Sequence, residues 1–215
     1  MAASLKNKAE KIIKILRKTY PDVQCALSHD NPLQLLVATI LSAQCTDKRV
    51  NMVTPGLFKK YPTAKHFAQI PIQDLETAIR STGFYKNKAK AIQSCCQLIL
   101  VKHEGSVPQT LEELVKLPGI GRKTANVVLG VAFGVPGFVV DTHVKRLTYR
   151  MGLTKQTNPE KIEFEIMKLV PKTDWNDFGL LLISHGRAIC DARKPKCDIC
   201  PLNQLCPQIG LTSNC

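Results

Sequence analysis

Four cysteines near the end of the 215-residue chain have the spacing of a metal centre. Cys190, Cys197, Cys200 and Cys206 form a C-x6-C-x2-C-x5-C pattern. Thiolates so close in sequence can converge on one zinc ion or on one cubane iron–sulfur cluster. Zinc sites usually combine two short cysteine pairs, and only one pair is short here. The wider gaps therefore favour a 4Fe–4S cluster, with zinc as the alternative.

A second pattern combines two glycines with two basic residues in LPGIGRKTA, residues 117–125. Gly119 and Gly121 predict a tight turn between two helices, and the second helix starts with Arg122 and Lys123. Glycine lets backbone N–H groups approach a phosphate closely, and a helix N-terminus favours an anion. No strand precedes the turn and no G-K-[ST] follows it, which argues against Rossmann and P-loop sites. The alternative to a phosphate-binding hairpin is a plain loop that binds no ligand.

One carboxylate, Asp141, stands at the predicted start of another helix, directly after Val139 and Val140. It is the only acid between Gly119 and Arg150, a segment that holds five basic residues. Taken alone, Asp141 predicts a helix cap. Together with the glycine turn and the cysteine pattern, it becomes a candidate catalytic carboxylate.

Composition points to nucleic acid as the partner. Thirty basic and 17 acidic residues give a net charge of +13, which favours binding to nucleic acid. The alternative is a basic protein that does not bind nucleic acid. The hydrophobic fraction of 44% excludes wholesale disorder. No apolar run approaches the roughly 18 residues of a membrane span, and no secretory signal is evident. We therefore expect an intracellular location (cytoplasmic and nucleoid-associated in a prokaryote), no membrane partner and no disulfide framework for the nine cysteines.

The elements that must position these residues are predicted to be helices, and the fold class to be all-α. Residues 86–103 carry an apolar stripe on a basic face. The one β-like patch, residues 137–140, is too short for a sheet. Helix starts are predicted at Asn31-Pro32, Thr110, Asn158-Pro159 and Asp174.

Glycines and a proline at residues 134–137 break a helix and mark the expected domain boundary. Residues 25–135 are expected to form a helical bundle that contains the glycine turn. Residues 1–24 and 136–215 are expected to form a second, discontinuous domain with the cysteines.

In this order and spacing, these features resemble the helix–hairpin–helix DNA glycosylases, and most closely the endonuclease III family. The resemblance covers nearly the whole chain and implies two helical domains, a DNA-binding cleft between them and a 4Fe–4S cluster. The matching segments are LLVATILSAQCTD, STGFYKNKAKAI, LPGIGRKTANVVL, VDTHVKRL, ISHGRAIC and the cysteine loop.

The resemblance implies a bifunctional DNA glycosylase/AP lyase of base excision repair. Lys123 would attack C1′ of a flipped nucleotide, expel an oxidised pyrimidine and form a Schiff base, and β-elimination would then cut the strand. The attack requires a neutral amine, which the helix N-terminus, Arg122 and partial burial would favour. Asp141 would help to deprotonate the attacking group and stabilise positive charge on the sugar. An ordinary phosphate contact is the alternative role for Lys123.

The resemblance also implies contacts with duplex DNA that holds damaged bases or abasic sites. Gln44 would fill the vacated space and Phe84 would act as an apolar wedge, although similar proteins often carry leucine there. A core position is the alternative for Phe84, and a solvated charge run is the alternative for the loop between Cys190 and Cys197. The expected DNA contacts are Gln44, Phe84, Gly119, Gly121, Arg122, His143, Arg193, Lys194 and Lys196.

Two other functions are compatible with parts of this pattern. Adenine-mismatch glycosylases lack a lysine at the hairpin position and carry a further C-terminal recognition domain. A DNA-binding or electron-transfer module would use the cluster but leave Lys123 and Asp141 without a function.

We expect the glycosylase/lyase to act as a monomer. Cys25, Cys95, Cys96 and Cys215 are expected to be buried or tail thiols, and no role is predicted for Cys45.

Overall fold

Helices and connecting turns make up the whole described part of the chain. The structure, a computed structural model, describes residues 2–211, with side chains from residue 4 onward. No strand occurs within residues 2–211, so the predicted all-α class is confirmed. The helices are α1 (Ala2–Thr19), α2 (Pro32–Ser42), α3 (Asp47–Lys60), α4 (Ala64–Gln69), α5 (Ile72–Ala78), α6 (Tyr85–His103), α7 (Leu111–Leu114), α8 (Arg122–Phe133), α9 (Thr142–Arg150), α10 (Pro159–Leu169) and α11 (Trp175–Ala188), with 3-10 turns η1 (Arg80–Thr82), η2 (Lys172–Asp174) and η3 (Cys197–Ile199).

The chain divides into two compact units. One, here called the hairpin unit, is Cys25–Val135. The other, here called the cysteine unit, is Met1–Gln24 together with Pro136–Cys215. The division falls shortly after α8. The residue that caps the C-terminus of this helix, Gly134, has a left-handed conformation with a φ of 65°. The functional roles assigned to these two parts of the chain stay predictions.

The hairpin unit is built around α2, which is apolar on nearly all sides. Every residue from Leu35 to Leu41 is buried, because α2 packs against α3, α6 and α8. Helix α6 contributes Ala89, Ile92 and Cys96 to the same core, as its predicted apolar stripe requires.

The cysteine unit brings α1 together with α9, α10 and α11. Helix α1 packs against α10 and α11, and α9 packs against α11. Ile12 and Leu16 of α1 are buried with Phe138 and Phe178, whose ring centroids lie 5.8 Å apart. The segment 137–140 forms neither helix nor strand.

Polar side chains set most of the predicted helix starts. Asn31 accepts a hydrogen bond from the Gln34 backbone N–H at 3.0 Å, Thr110 caps α7 and Asn158 caps α10, as predicted. Asp174 precedes the first residue of α11, as predicted, but its side chain makes no cap hydrogen bond. Its carboxylate accepts instead from the Arg17 guanidinium at 2.8 Å. None of the described helices is long and apolar enough to cross a membrane.

Candidate active site and metal centre

The glycine turn before α8 is held by apolar packing and by one close backbone approach. Leu117 and Ile120 are buried in the core of the hairpin unit. Gly119 has a φ of 78°, and a Cβ atom there would lie 2.8 Å from the Cβ of Ala91. A side chain at Gly119 would therefore be both strained and too close to α6.

Lys123 lies in the first turn of α8 and is exposed. Gly121 precedes the helix with a φ of −90°, and its carbonyl accepts from the Ala125 N–H at 2.9 Å. The sequence predicts partial burial for Lys123, whereas the structure shows its side chain exposed. Arg122 is half-buried beside it. The turn thus presents one primary amine and the peptide N–H groups of a helix start to solvent.

Asp141 is the N-cap of α9 in the cysteine unit. Its Oδ1 accepts a hydrogen bond from the Val144 N–H at 2.8 Å, so the predicted cap is confirmed. The bond fixes the orientation of a half-buried carboxylate. His143, one residue into α9, is half-buried and accepts at Nδ1 from Arg146 Nη2 at 3.1 Å.

Gln44 and Phe84 share an uncommon backbone conformation. Their φ angles are 52° and 48°, in the left-handed region that few non-glycine residues adopt. Both residues are exposed, and Phe84 is 64% exposed, so the core alternative for Phe84 was wrong.

The four predicted cysteine ligands line one cavity in the cysteine unit. About 380 Å³ of it is free of protein atoms, part of this volume being open to solvent. Met151, Ile189 and Leu202 contribute apolar walls. Within residues 2–211, no three His, Cys, Asp or Glu side chains meet closely enough to hold a single metal ion. The shared cavity offers four sulfur donors around a space that suits a group of several atoms.

Two arginines of α9 hold the chain around Cys190. Arg150 is buried, and its Nη1 lies 3.3 Å from Cys190 Sγ and 2.7 Å from the Asp191 carbonyl oxygen. Arg146 Nη2 donates to the carbonyl oxygens of Cys190 at 2.9 Å and Gly186 at 3.0 Å. Sequence reasoning missed both roles. The available signal was their spacing of four residues, which puts them on one face of the predicted helix.

His185 connects another cavity cysteine to Tyr20, the residue that follows α1. It is 1% exposed, and its Nε2 lies 3.4 Å from Cys200 Sγ. Its Nδ1 lies 3.1 Å from the hydroxyl of Tyr20, and burial lowers the pKa of His185 to about 4. When Tyr20 donates to Nδ1, the neutral ring carries its hydrogen at Nε2, directed at the sulfur. Arg150 and His185 thus each lie within hydrogen-bond distance of a ligand sulfur, and such contacts orient the ligands of a metal site.

The loop between Cys190 and Cys197 carries three basic side chains, which differ in what they contact. Arg193 and Lys194 are exposed, whereas Lys196 Nζ donates to the Ala188 carbonyl at 2.9 Å.

Four of the described cysteines lie outside this cavity. Cys95 and Cys96 are buried as expected, and burial raises the pKa of Cys95 to about 12 and that of Cys96 further. Cys25 and Cys45 are half-buried, and Cys215 lies outside the described residues.

Comparison with known proteins agrees with this arrangement. A family model described as HhH-GPD superfamily base excision DNA repair protein matches residues 37–172. A second model, the iron–sulfur binding domain of endonuclease III, matches residues 190–206. Endonuclease III of Synechocystis sp. is 56% identical over 206 residues, covering 95% of this chain and 94% of that protein. Endonuclease III of Bacillus subtilis is 47% identical over 188 residues, covering 87% and 86%.

Solved structures agree over the same length. A non-covalent endonuclease III–DNA complex matches with a TM-score of 0.91 and 45% identity, covering 94% of this chain and 95% of that one. A trapped endonuclease III–DNA covalent intermediate matches with a TM-score of 0.91 and 45% identity, covering 94% and 96%.

Fold, hairpin and matches together define the class: the chain belongs to the HhH-GPD superfamily of base excision DNA repair proteins. Within that class it is similar to endonuclease III along nearly its whole length, and the resemblance seen in the sequence is confirmed. The protein is accordingly a DNA glycosylase with AP lyase activity, and its cofactor is a 4Fe–4S cluster.

Proposed function

We propose that this protein removes oxidised pyrimidines from duplex DNA, with Lys123 as nucleophile and Asp141 as its carboxylate partner. The observation that carries the proposal is the exposed amine of Lys123 at the start of α8, directly after a rigid glycine turn. A similar protein has been captured as a covalent intermediate with DNA, which supports attack by a protein nucleophile.

The reaction follows from the two side chains. The neutral amine of Lys123 attacks C1′ of the flipped nucleotide, and the C1′–N bond breaks with its electron pair passing to the departing base. Asp141 accepts the proton that the amine loses and stabilises the positive charge that develops on the sugar. The C1′–O4′ bond then breaks with its electron pair passing to O4′, the protonated Asp141 gives its proton to that oxygen, and an imine between C1′ and Nζ results.

Strand cleavage uses the same imine. The imine makes the C2′ hydrogen acidic, a base removes it, and the C3′–O bond breaks with the phosphate leaving. Hydrolysis of the imine then restores the amine of Lys123. The hydrogen bond from the Val144 N–H to Asp141 Oδ1 holds the carboxylate in place during these steps.

Cys190, Cys197, Cys200 and Cys206 would hold the 4Fe–4S cluster in their shared cavity. Glycosyl transfer involves no net electron flow, so the cluster would serve to cross-link the loop between its first and last ligands. Arg193, Lys194 and Lys196 on that loop would contact DNA phosphates.

Extrusion of the damaged base leaves a gap in the DNA stack, at a cost of a few kcal/mol. Gln44 and Phe84 would enter the stack and offset part of this cost. Phe84 offers an exposed apolar ring for stacking, and Gln44 offers an amide that can hydrogen-bond to a base.

The DNA backbone near the flipped nucleotide would be contacted by Gly119, Gly121, Arg122 and His143. The protein would act as a monomer on DNA with damaged bases or abasic sites, at the nucleoid in a prokaryotic cell.

Borohydride trapping tests the proposal. The protein is mixed with a duplex that holds a single thymine glycol, and borohydride is added during turnover. Because only an imine is reduced to a stable amine link, a covalent protein–DNA adduct is expected. Lys123→Gln should abolish the adduct and retain lesion binding. Lys116→Gln, an exposed lysine before the same turn, should trap normally. Native protein that binds the lesion without forming an adduct would overturn the role of Lys123.

A further inference from the structure

Lys88 is a buried lysine in the hairpin unit whose ammonium group donates hydrogen bonds to two backbone carbonyls. It is 5% exposed, and its Nζ donates to the Leu41 oxygen at 2.7 Å and to the Thr82 oxygen at 2.8 Å. Burial lowers the pKa of Lys88. A lysine side chain is rarely buried to this extent unless its charge is paired or hydrogen-bonded. The burial of Lys88 therefore indicates a structural role for its ammonium group.

The two carbonyls belong to segments that lead directly to Gln44 and Phe84. Leu41 lies in the last turn of α2, shortly before Gln44, and Thr82 ends η1, two residues before Phe84. Both oxygens contact one nitrogen, so the two segments converge at Lys88. Lys88 itself lies in the first turn of α6, where its backbone N–H donates to the Phe84 carbonyl at 3.1 Å.

The conformations of Gln44 and Phe84 require such support. A non-glycine residue in the left-handed region persists when its surroundings hold it there. An ammonium group is well suited to this task, because it donates several charge-assisted hydrogen bonds at once. At Leu41 it also faces the carbonyl end of a helix, where positive charge is stabilising.

We propose that Lys88 is a positioning residue that holds Gln44 and Phe84 in the conformation with which they enter the DNA stack. The proposal rests on the DNA role proposed above for these two residues. Lys88 is too deeply buried to contact DNA and acts only through the two turns. It therefore affects the extrusion of a base from duplex DNA and leaves the chemistry at Lys123 unaffected.

The test separates base extrusion from chemistry. Lys88→Met keeps the length of the side chain and removes both hydrogen bonds. We expect glycosylase turnover on a lesion in duplex DNA to fall by about 10- to 100-fold, the scale of losing charge-assisted hydrogen bonds. Borohydride trapping on an abasic site in single-stranded DNA, where nothing must be extruded, should change by less than about twofold.

Base extrusion is measured directly with 2-aminopurine beside the lesion, whose fluorescence rises when stacking is lost. The Lys88→Met variant should show a smaller rise than native protein. Lys102→Met is the matched control, because it removes one exposed lysine from the last turn of the same helix. Lys88→Gln keeps an N–H donor and should restore part of the signal.

A mutant cycle identifies the route of the effect. In a Gln44→Ala/Phe84→Ala background, Lys88→Met should have no further effect on extrusion, because the residues that it positions are gone. Equal losses in duplex turnover and in single-strand trapping would overturn the proposal, and so would an unchanged 2-aminopurine signal. If Lys88→Met fails to fold, the same comparisons are made with Lys88→Gln. Absence of trapping by the native protein would instead overturn the role of Lys123, whereas the fluorescence experiment tests Lys88 independently.

Discussion

The glycine turn of the hairpin unit and the cysteine loop of the other unit position their functional groups by different means. Leu117 and Ile120 anchor the turn in a hydrophobic core, and Gly119 brings the backbone against Ala91. Between Cys190 and Cys206, only Leu202 is buried, and regular structure is limited to η3. The loop depends on hydrogen bonds from a few side chains of α9 and α11, notably those of Arg146 and Arg150.

This difference indicates where each region obtains its order. The glycine turn is shaped by burial of apolar surface, which needs no ligand. The cysteine loop buries little apolar surface of its own, so its order must come from charged hydrogen bonds and from the cluster. Loss of iron should therefore loosen the loop and leave the turn intact. Each of the following experiments tests one side of this contrast.

The largest effect is expected from a change in the cysteine unit that leaves the cluster alone. Asp141→Asn keeps the helix cap, since asparagine caps as well as aspartate, and removes the negative charge. Base release in single-turnover assays should slow by about 10²–10⁴-fold, the scale of a positioned acid–base group. Iron content should be unchanged. Asp22→Asn, at an exposed position in the same unit, is the control. Activity near the native level would remove Asp141 from the mechanism.

Removal of a cluster ligand should separate the two regions structurally. Cys200→Ala is expected to lose iron and the brown colour of the protein. Amide exchange in residues 191–206 should rise by about tenfold or more, whereas exchange in residues 117–125 should stay at the native rate. Cys25→Ala removes a thiol from the hairpin unit and should retain iron. Faster exchange in both regions would contradict the contrast, and a colourless native protein with one zinc would contradict the cofactor.

A pair of glycine substitutions tests the other side. Gly119→Ala should lower the free energy of unfolding by about 2–4 kcal/mol, because the new Cβ is too close to Ala91 and the left-handed φ is unfavourable. Gly121→Ala, with nothing within 4 Å of its Cβ, should lower it by less than about 1 kcal/mol. Denaturant unfolding measures both, and iron content should not change. Equal effects would mean that the approach to Ala91 does not shape the turn.

The smallest effect concerns the basic side chains of the cysteine loop. Arg193→Ala or Lys194→Ala should reduce the slope of log affinity against log salt by about 0.9, the contribution of one phosphate contact. Lesion preference should stay the same. Lys155→Ala, exposed beyond α9, is the control. Titrations at several salt concentrations measure the slope, and a shift in lesion choice at constant slope would argue against phosphate positioning.

Local features of this chain, such as where helices start and stop, could be predicted from sequence because certain residue types have a strong preference for those positions. Asn31 and Asn158 cap helices, residues 134–137 break one, and the alternation of basic and apolar residues gives the helices of an all-α fold. The cofactor followed from cysteine spacing together with the family resemblance. The roles of Lys123 and Asp141 and the DNA contacts stay predictions.

Features that depend on tertiary contacts could not be predicted in this way. Asp174 has the right type for a cap, but Arg17 lies close enough to bind it. The expected burial of Lys123 depended on neighbours that the sequence does not specify. Lys88 stands four residues before Ile92 on the apolar side of α6, and the carbonyl groups that bind it come from the ends of α2 and η1. Periodicity shows which face is buried, and only packing shows what a polar side chain on that face binds.

Helix α1 precedes the hairpin unit in the chain but packs against helices that follow that unit. Its apolar residues Ile12 and Leu16 are buried against segments that follow more than a hundred residues later. The hairpin unit is continuous in sequence and can fold as it emerges, whereas α1 must wait, its apolar side uncovered, for α10 and α11. The cysteine ligands also follow the hairpin unit in the chain, so a newly made chain can carry a finished hairpin before it carries a finished cofactor site.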